Sequence, residues 1–267
     1  MSVLAPAPTV GDLLRDWRRR RRLSQLDVSL DAAVSARHLS FVETGRSKPS
    51  RVLVLHLAEH LDVPLRERNA LLLAAGYAPA YSETPLYDEA MAPVRAALDK
   101  ILAGHAPFPA VIVDRRWDLV SANAPAMAIL TDGVAPELLA PPANAMRLSL
   151  HPDGLAPRIV NLREYGAHLL TRLARQSALA PDLGLAELLA ELRGYPGFDE
   201  HDPAAAQPAE LLFAPLRLRA LGHELRFFST LATFGTALDI TVAELAIESF
   251  FPADPETAAA LRGLGLG

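Results

Sequence analysis

The stretch Leu23–Ser50, LSQLDVSLDAAVSARHLSFVETGRSKPS, holds two short helix patterns joined by a tight turn. Ser24 is a favourable N-cap for the first helix, and Asp27 lies three residues later, where it completes a capping box. Ser35 is a second favourable N-cap and opens a predicted helix over 36–43. The stretch therefore predicts a helix, a turn and a second helix within fewer than 30 residues.

Apolar residues at helical spacing give the two helices a shared inner seam. The predicted seam consists of Val28, Ala32, Leu39 and Val42. The opposite face of the second helix carries Arg37, His38 and Phe41, and Gly45 ends that helix. Two short helices at a steep angle, the second with polar side chains outward, fit the DNA major groove. An ordinary helical hairpin without a DNA-binding role is the alternative.

The same stretch resembles the Xre/Cro-type helix-turn-helix of phage repressors and bacterial regulators. The matching positions run without a gap and are Ser24, Gln25, Ser29, residues 32–35, Leu39, Val42, Glu43, Gly45, Arg46, Pro49 and Ser50. One position departs from the family pattern, because Ala33 stands where the family prefers glycine. A left-handed backbone there costs an alanine about 1 kcal/mol, which the surrounding core can absorb.

The resemblance implies that eight residues of this stretch meet double-stranded DNA. They are Gln25, Ser35, Ala36, Arg37, His38, Phe41, Arg46 and Lys48. In the family's register Gln25 and Ser35 contact phosphates, and the two basic residues after the helix follow the DNA backbone. Arg37 suits a guanine, since its guanidinium binds O6 and N7 together, and its apolar neighbours suit thymine methyls. One such domain covers one half-site, so a homodimer on a two-fold symmetric operator is expected.

Composition sets the class of the chain. Its 267 residues suffice for two domains, and 51% of them are hydrophobic. The absence of cysteine excludes disulfides and thiolate metal sites. No run of 18 apolar residues and no leader pattern occur, so we expect a soluble cytoplasmic protein.

Charge is distributed unevenly along the chain. The first 80 residues hold 12 Lys and Arg against 8 Asp and Glu, whereas the remainder hold 14 against 23. This asymmetry is typical of a protein whose basic N-terminal part contacts a polyanion and whose acidic remainder does not. The run Arg18–Arg22 ends a predicted helix that Thr9 opens. It is interpreted both as a favourable basic helix end and as a phosphate contact.

Further helix patterns complete a mostly α, five-helix DNA-binding domain over residues 1–80. Ser50 caps a helix that runs to Leu61, and another follows from Pro64 to Gly76. His56 and His60 have a spacing that suits a metal, but no third ligand is near, so no metal is expected. Residues 81–105 are interpreted as a linker and a bridging helix over 86–104.

The segments ARHLSFVETGRSKPS (36–50) and LRERNALLLAAGYAP (65–79) together resemble the MmyB-like branch of these regulators. Its members join the helix-turn-helix to a PAS-like ligand-binding domain, so the resemblance implies an α+β PAS-like domain over 106–267. The residues agree, with a strand over 110–113, a turn over 114–116, a strand over 117–121 and a helix from Asn123. The N-x-x-R…HP block of the family is matched from Asn144.

Later strands are predicted over 211–218 and 225–234, where apolar residues alternate. The segment Glu244–Phe251 is left as a short helix or a further strand. Two helices are predicted between the blocks, over 162–178 and 185–192, and a last helix near the C-terminus. The family's longer aromatic and basic segment near 193–207 is not found, which puts pocket residues from it in doubt.

Eight residues are candidates for binding a small apolar, fatty-acid-like ligand. They are Trp117, Asn123, Arg147, His151, Arg158, Phe227, Leu231 and Phe234. Trp117 and Asn123 have core and helix-cap roles as alternatives. The three basic residues either anchor an anionic head group or hold a loop.

The resulting hypothesis is a DNA-binding transcriptional regulator whose PAS-like domain senses the ligand. In the alternative, that domain only dimerises or binds a protein partner. An enzyme is disfavoured because the eight histidines lack triad or ligand spacing and no Gly-rich phosphate loop occurs. No cofactor is expected apart from the ligand.

Overall fold

A computed structural model describes residues 7–179, 182–198 and 215–265. The chain forms two compact units. The first runs to Thr84 and also contains Thr236–Ala243, while the second holds Pro85–Gly235 and the chain from Glu244. The boundary lies close to the expected residue 80. Two features differ from the expectation, since the helix expected to bridge the domains belongs to the second unit and a late segment belongs to the first.

The first unit is helical, as predicted. Its helices are α1 (Val10–Arg20), α2 (Gln25–Asp31), α3 (Ala36–Glu43), α4 (Arg51–His60) and α5 (Leu65–Ala74). Thr9 and Ser24 form complete capping boxes with Asp12 and Asp27. Ser35 and Ser50 accept the expected capping hydrogen bonds from His38 N and Leu53 N. All four residues of the predicted seam are at most 2% exposed. The five-helix, helix-turn-helix fold is confirmed.

A residue with a left-handed backbone lies two positions after the last residue of each of these five helices. These residues are Arg22, Ala33, Gly45, Asp62 and Gly76. At the turn of the helix-turn-helix Ala33 has φ 51°, and the next amide, Val34 N, donates to Ser29 O at 3.0 Å. This bond closes a Schellman motif, which satisfies carbonyls at the end of α2. The left-handed conformation expected at Ala33 is therefore present.

The second unit is built on one antiparallel sheet. Its strands are β1 (Ala110–Val113), β2 (Leu119–Ala122), β3 (Leu216–Ala220), β4 (His223–Thr233) and β5 (Ala246–Pro252), in the order β2-β1-β5-β4-β3. The ambiguous segment Glu244–Phe251 is thus mainly a strand. Of the strand predicted over 211–218, the part before residue 215 lies outside the described residues. These elements confirm the α+β, PAS-like class.

Helices surround this sheet. They are α6 (Ala92–His105), α7 (Ala124–Thr131), α8 (Pro136–Leu139), α9 (Ala145–Leu150), α10 (Leu162–Leu179), α11 (Leu183–Arg193) and α13 (Pro255–Gly263), with 3-10 turns at Glu89–Met91 and Ala156–Arg158. The remaining short helix, α12 (Ile240–Ala243), belongs to the first unit. One sheet face packs on α6 around Leu98 and Ile112. The other packs on α7, α9, α10 and α11 in the larger core.

The prediction that β2 begins at Trp117 is wrong. Trp117 has φ 67° and lies in the turn, where its amide donates to Asp114 O at 3.0 Å. The Asp114 side chain accepts from the amides of Arg116 and Asp118 at 2.8 and 2.9 Å. This Asx-type turn extends two residues further than the pattern suggested, because aspartate competes for backbone amides with the sheet.

Replacing Ala33 with glycine should stabilise the first unit by roughly 0.5–1 kcal/mol. Relief of the left-handed strain raises the free energy of unfolding by about 1–2 kcal/mol. The greater flexibility of glycine in the unfolded chain lowers it by about 0.4–1 kcal/mol. The matched control is Gly45→Ala at the end of α3, where φ is 70° and an added Cβ meets no atom within 4 Å. It should destabilise by a similar amount. Hydrogen exchange of α2 and α3 measures both changes in stability. If the two substitutions changed the stability by the same amount in the same direction, the assignment of backbone strain to Ala33 would be wrong.

Candidate DNA-binding surface and ligand cavity

The exposed face of α3 carries the predicted base-contacting residues. Ala36 and Arg37 are exposed in its first turn, and Phe41 is half-buried one turn later. The guanidinium carbons of Arg37 and Arg46 lie 5.3 and 5.9 Å from the centre of the Phe41 ring. Cation–π contacts of this kind hold a guanidinium in place at modest energy. The two arginines and the phenylalanine therefore form one surface, which we call the α3 face.

The other predicted DNA contacts lie around this face. Ser35 caps α3, and His38 is half-buried on the same helix. Lys48 is exposed, with its ammonium 5.5 Å from the centre of the Tyr77 ring. Gln25 donates to Glu43 at 2.8 Å. One hydrogen of its side-chain amide is therefore used inside the unit, and the second is left for the predicted phosphate contact.

Two members of the arginine run have structural partners. Arg18 forms two hydrogen bonds to Glu43, of 2.7 and 2.8 Å. Arg21 donates to the main-chain carbonyls of Leu61 and Asp62 at 2.9 and 2.6 Å. These bonds give the two residues a structural role, because their guanidinium groups link α1 to other helices, while phosphate contact by the run stays a prediction.

Glu43 is the centre of a buried polar cluster in the first unit. It is 2% exposed, although it ends the helix that meets solvent on its other side. Besides the bidentate Arg18, its carboxylate accepts from Gln25 and lies 3.7 Å from Arg15 Nε. Arg15 also donates to the main-chain carbonyl of Glu43. One carboxylate thus ties together α1, α2 and α3, the elements of the helix-turn-helix.

Burial alone would raise the pKa of Glu43. The hydrogen bonds from Arg18 and Gln25, with the positive charges of Arg18 and Arg15, outweigh burial and hold the pKa below its usual value. The carboxylate is therefore ionised at neutral pH.

A cavity of about 70 Å³ lies in the second unit between the sheet and its covering helices. Its walls come from β1, β2, β3, β4 and β5 on one side and from α7, α9 and α10 on the other. Most of the lining is apolar and includes Val111, Leu148, Leu169, Leu218 and Phe250. The volume is well below the roughly 300–1,000 Å³ of pockets for drug-sized ligands. In this conformation the cavity suits a small molecule.

Two of the eight predicted ligand residues, Trp117 and Phe227, line this cavity. The indole nitrogen of Trp117 donates to Gln176 at 2.8 Å, and the guanidinium of Arg172 lies 4.4 Å from its ring centre. The positive φ of Trp117 is uncommon for a bulky residue and is held by the turn before β2. Trp117 is therefore both a member of the hydrophobic core and part of the cavity wall, so the two alternatives given for it do not exclude each other.

Asn123 is a helix cap and a core polar group. Its side-chain oxygen accepts from the amides of Ala110 and Ala126 at 3.0 and 3.1 Å. Its nitrogen donates to the carbonyls of Phe108 and Leu102 at 2.8 and 3.3 Å. With these four bonds its hydrogen-bonding capacity is used, and it does not line the cavity.

The three basic candidates lie apart from the cavity. Arg147 makes a bidentate ion pair with Glu191, with distances of 2.9 and 2.8 Å. His151 packs edge-on against Tyr195, with ring centres 5.0 Å apart. Arg158 lies 2.9 Å from a carboxylate oxygen of Asp132. None of the three lines the cavity, so the structure gives no support to a head-group role there. The bonds of Arg147 support the loop-holding alternative for that residue, whereas the buried guanidinium nitrogens of Arg158 make no hydrogen bond within the described residues.

Leu231 and Phe234 also lie away from the cavity. Leu231 pairs in register with Glu248 on the cavity face of the sheet, but it is 42% exposed and not part of the wall. Phe234 follows β4 and packs on the α6 side. The alternation predicted for β4 is correct for Leu225 and Phe227, which are buried. The side of the strand that faces the interior becomes exposed before Leu231 is reached.

Sequence analysis missed the polar residues of the cavity wall, among them Tyr165 on α10 and Glu248 on β5. Both are 6% exposed. A signal existed for the carboxylate, because a single acidic residue alternates with apolar ones in the segment AIESFF. This pattern could not place the carboxylate, because the segment was predicted only as either a helix or a strand. The direction in which each side chain points depends on which of the two it is.

These sites define a class of protein in which a helix-turn-helix unit is joined to an α+β unit with an internal apolar cavity. The family model of the MmyB-like transcription regulator ligand binding domain matches residues 94–264. A helix-turn-helix domain model matches residues 9–71. The chain belongs to the MmyB-like transcription regulators. A search of curated proteins found no match.

Two searches of the described residues bear on other functions. None of their helices is both long and apolar enough to cross a membrane. No group of three or more His, Asp or Glu side chains is placed to hold a metal ion there.

Replacing Glu43 with glutamine should destabilise the first unit by about 3 kcal/mol at pH 7, because Arg18 loses its charge partner inside the protein. The lowered pKa of Glu43 means that the stabilisation is present above the unfolded pKa of about 4.3 and is lost as pH falls through the lower folded value. Hydrogen exchange of α1 between pH 3 and 7 measures both effects. Glu59→Gln, at an exposed site on α4, is the control and should change neither.

Proposed function

We propose that the first unit binds a specific DNA sequence through the α3 face. Membership of a transcription-regulator family and the helix-turn-helix geometry support DNA binding itself. The α3 face supports the finer assignment, because the exposed Arg37 on this helix and the exposed Arg46 just after it both lie against the Phe41 ring. Arg37 reads a guanine there, while Arg46 and Lys48 contact phosphates. A homodimer on a two-fold symmetric operator completes the proposal.

The second unit binds a small apolar ligand in its cavity. The observation that carries this proposal is the apolar interior volume lined by Trp117 and Phe227 in a domain of the ligand-binding family. A fatty-acyl chain, the ligand class implied by the resemblance, would have to widen a volume of about 70 Å³. In the alternative, the unit only dimerises or binds a protein partner, and the cavity stays a packing defect.

Chain connectivity supplies a route between ligand and DNA. The segment Thr236–Ala243 between β4 and β5 belongs to the first unit. Within that unit Asp239 accepts from the amide and hydroxyl of Thr84 at 3.2 and 2.8 Å. The strand that carries Glu248 thus begins shortly after a segment of the DNA-binding unit. A shift of β5 on ligand binding would act on that segment through the covalent chain.

Replacing Arg37 with alanine should cost about 1–3 kcal/mol on the cognate site and relax the preference at one base pair. Replacing Arg46 or Lys48 should weaken binding to every sequence and reduce its salt dependence. Footprinting and salt titrations of the full chain measure these effects, and the footprint should span two half-sites. Arg219→Ala, at an exposed position of the second unit, is the control. Equal losses on cognate and random DNA for Arg37→Ala would refute the base contact.

Ligand binding can be located with the two tryptophans of the chain, Trp17 and Trp117. With 5-fluorotryptophan in the full chain, a ligand in the cavity should shift the fluorine resonance of Trp117 and leave that of Trp17 in place. Straight-chain alcohols and fatty acids of increasing length are the probes. Ala126→Leu, which fills the cavity from α7, should abolish the shift, and Ala124→Leu, exposed on the same helix, should retain it. No shift with any probe would favour the partner-binding alternative.

A further inference from the structure

The polar part of the cavity wall is small and specific. Among the lining residues that the structure describes, Ser149, Tyr165 and Glu248 carry polar side chains. Ser149 already donates to Ala145 O at 2.8 Å, as serine does within a helix. Its oxygen can still accept, and the indole N–H of Trp117 is used by Gln176. The wall groups that offer a ligand a free donor or a charged acceptor are therefore the tyrosine hydroxyl and the glutamate carboxylate.

Glu248 has partners on one carboxylate oxygen. Its Oε1 accepts from Arg172 at 3.3 Å and from Ser229 at 2.9 Å. Its Oε2 accepts no hydrogen bond from any residue in the described part of the chain. A carboxylate that is 6% exposed strongly favours having both oxygens bonded. Oε2 is an acceptor in need of a donor.

The Tyr165 hydroxyl is equally short of partners. It makes no hydrogen bond within residues 7–179, 182–198 and 215–265, although tyrosine hydroxyls in protein interiors usually find one. Burial and the nearby charge of Glu248 raise the pKa of Tyr165 above its usual range, so the hydroxyl stays protonated and can donate.

Resting on the ligand-binding function proposed above, we propose that the cavity binds a small neutral molecule with an apolar body and a hydroxyl group. The ligand hydroxyl donates to Glu248 Oε2 and accepts from the Tyr165 hydroxyl. A hydroxyl is the smallest group that satisfies both, since it is donor and acceptor at one atom. The apolar walls take the carbon body, and the volume of about 70 Å³ keeps that body short.

Charge explains why the head group is neutral. Glu248 and Arg172 form an ion pair at 3.3 Å, so the pair carries no net charge. A ligand carboxylate would meet Glu248 with no cation among the described cavity-lining residues, and like charges at close range cost several kcal/mol. A ligand ammonium would leave one unbalanced positive charge in the interior. The cavity therefore selects an alcohol over the fatty acid and the amine of equal length.

Three probes of the same length test this selection, namely hexan-1-ol, hexanoate and hexylammonium at pH 7.5. Titration of the Trp117 fluorine resonance in the full chain gives their dissociation constants. Hexan-1-ol should bind at least about tenfold more tightly than either ion, because like or unbalanced charge in the interior costs more than 1.4 kcal/mol. A tie, or tighter binding of either ion, overturns the inference while leaving the proposed ligand site standing. Binding of none of the three, nor of longer alcohols, overturns both.

Variants test the two anchors. Glu248→Gln removes the charge but keeps an acceptor for Arg172 and Ser229, so the preference for hexan-1-ol over hexanoate should fall about tenfold. Tyr165→Phe should weaken hexan-1-ol about fivefold, the value of one hydrogen bond. The result is measured as a ratio of affinities within each variant, so a loss of stability does not obscure it.

Matched controls exist in the same unit. Glu191 pairs with Arg147 and accepts from Tyr195 at 2.5 Å, a second glutamate, arginine and tyrosine set that lies outside the cavity wall. Glu191→Gln and Tyr195→Phe should leave the affinity ratios unchanged. If these controls change the ratios as much as Glu248→Gln and Tyr165→Phe do, the polar anchor is not at Glu248 and Tyr165, and the inference is wrong.

Discussion

Buried carboxylates must be bonded, and this constraint organises both units of the protein. Among the described residues, the acidic side chains classed as buried are Glu43 and Glu248, one in each unit. A carboxylate removed from water loses hydration that charged donors and hydrogen bonds have to replace. The two glutamates meet this demand differently, and the difference distinguishes a structural residue, Glu43, from a residue of the cavity wall, Glu248.

Glu43 is fully bonded. Arg18 binds it with two hydrogen bonds, and Gln25 and Arg15 complete its surroundings from two helices. A satisfied polar cluster of this kind fixes one arrangement of its elements, because every alternative leaves a charge unpaired. The helix that carries Arg37 and Phe41 is therefore held in one arrangement, and the basic side chains of the α3 face are not used by the cluster.

Glu248 is bonded on one side only. Its free oxygen and the free hydroxyl of Tyr165 belong to a wall that is otherwise apolar. A half-satisfied interior group is costly for stability, and such costs are typical of sites that await a partner. The same strand begins shortly after Thr236–Ala243, the segment that belongs to the DNA-binding unit. The strand that lines the cavity and a segment of the first unit are therefore consecutive in the chain.

The sequence by itself determined what depends on neighbours along the chain. Helix caps at Thr9, Ser24, Ser35 and Ser50, the left-handed turn at Ala33 and the first part of the alternation in β4 follow from local spacing, and the structure shows them. Only the tertiary structure decided which polar groups meet across long separations. It placed Arg18 on Glu43, took Arg147 to Glu191 away from the cavity, and brought Tyr165 and Glu248 to one wall. The physical reason is that a hydrogen bond or ion pair depends on distances of a few ångströms, and packing sets those distances for residues far apart in sequence.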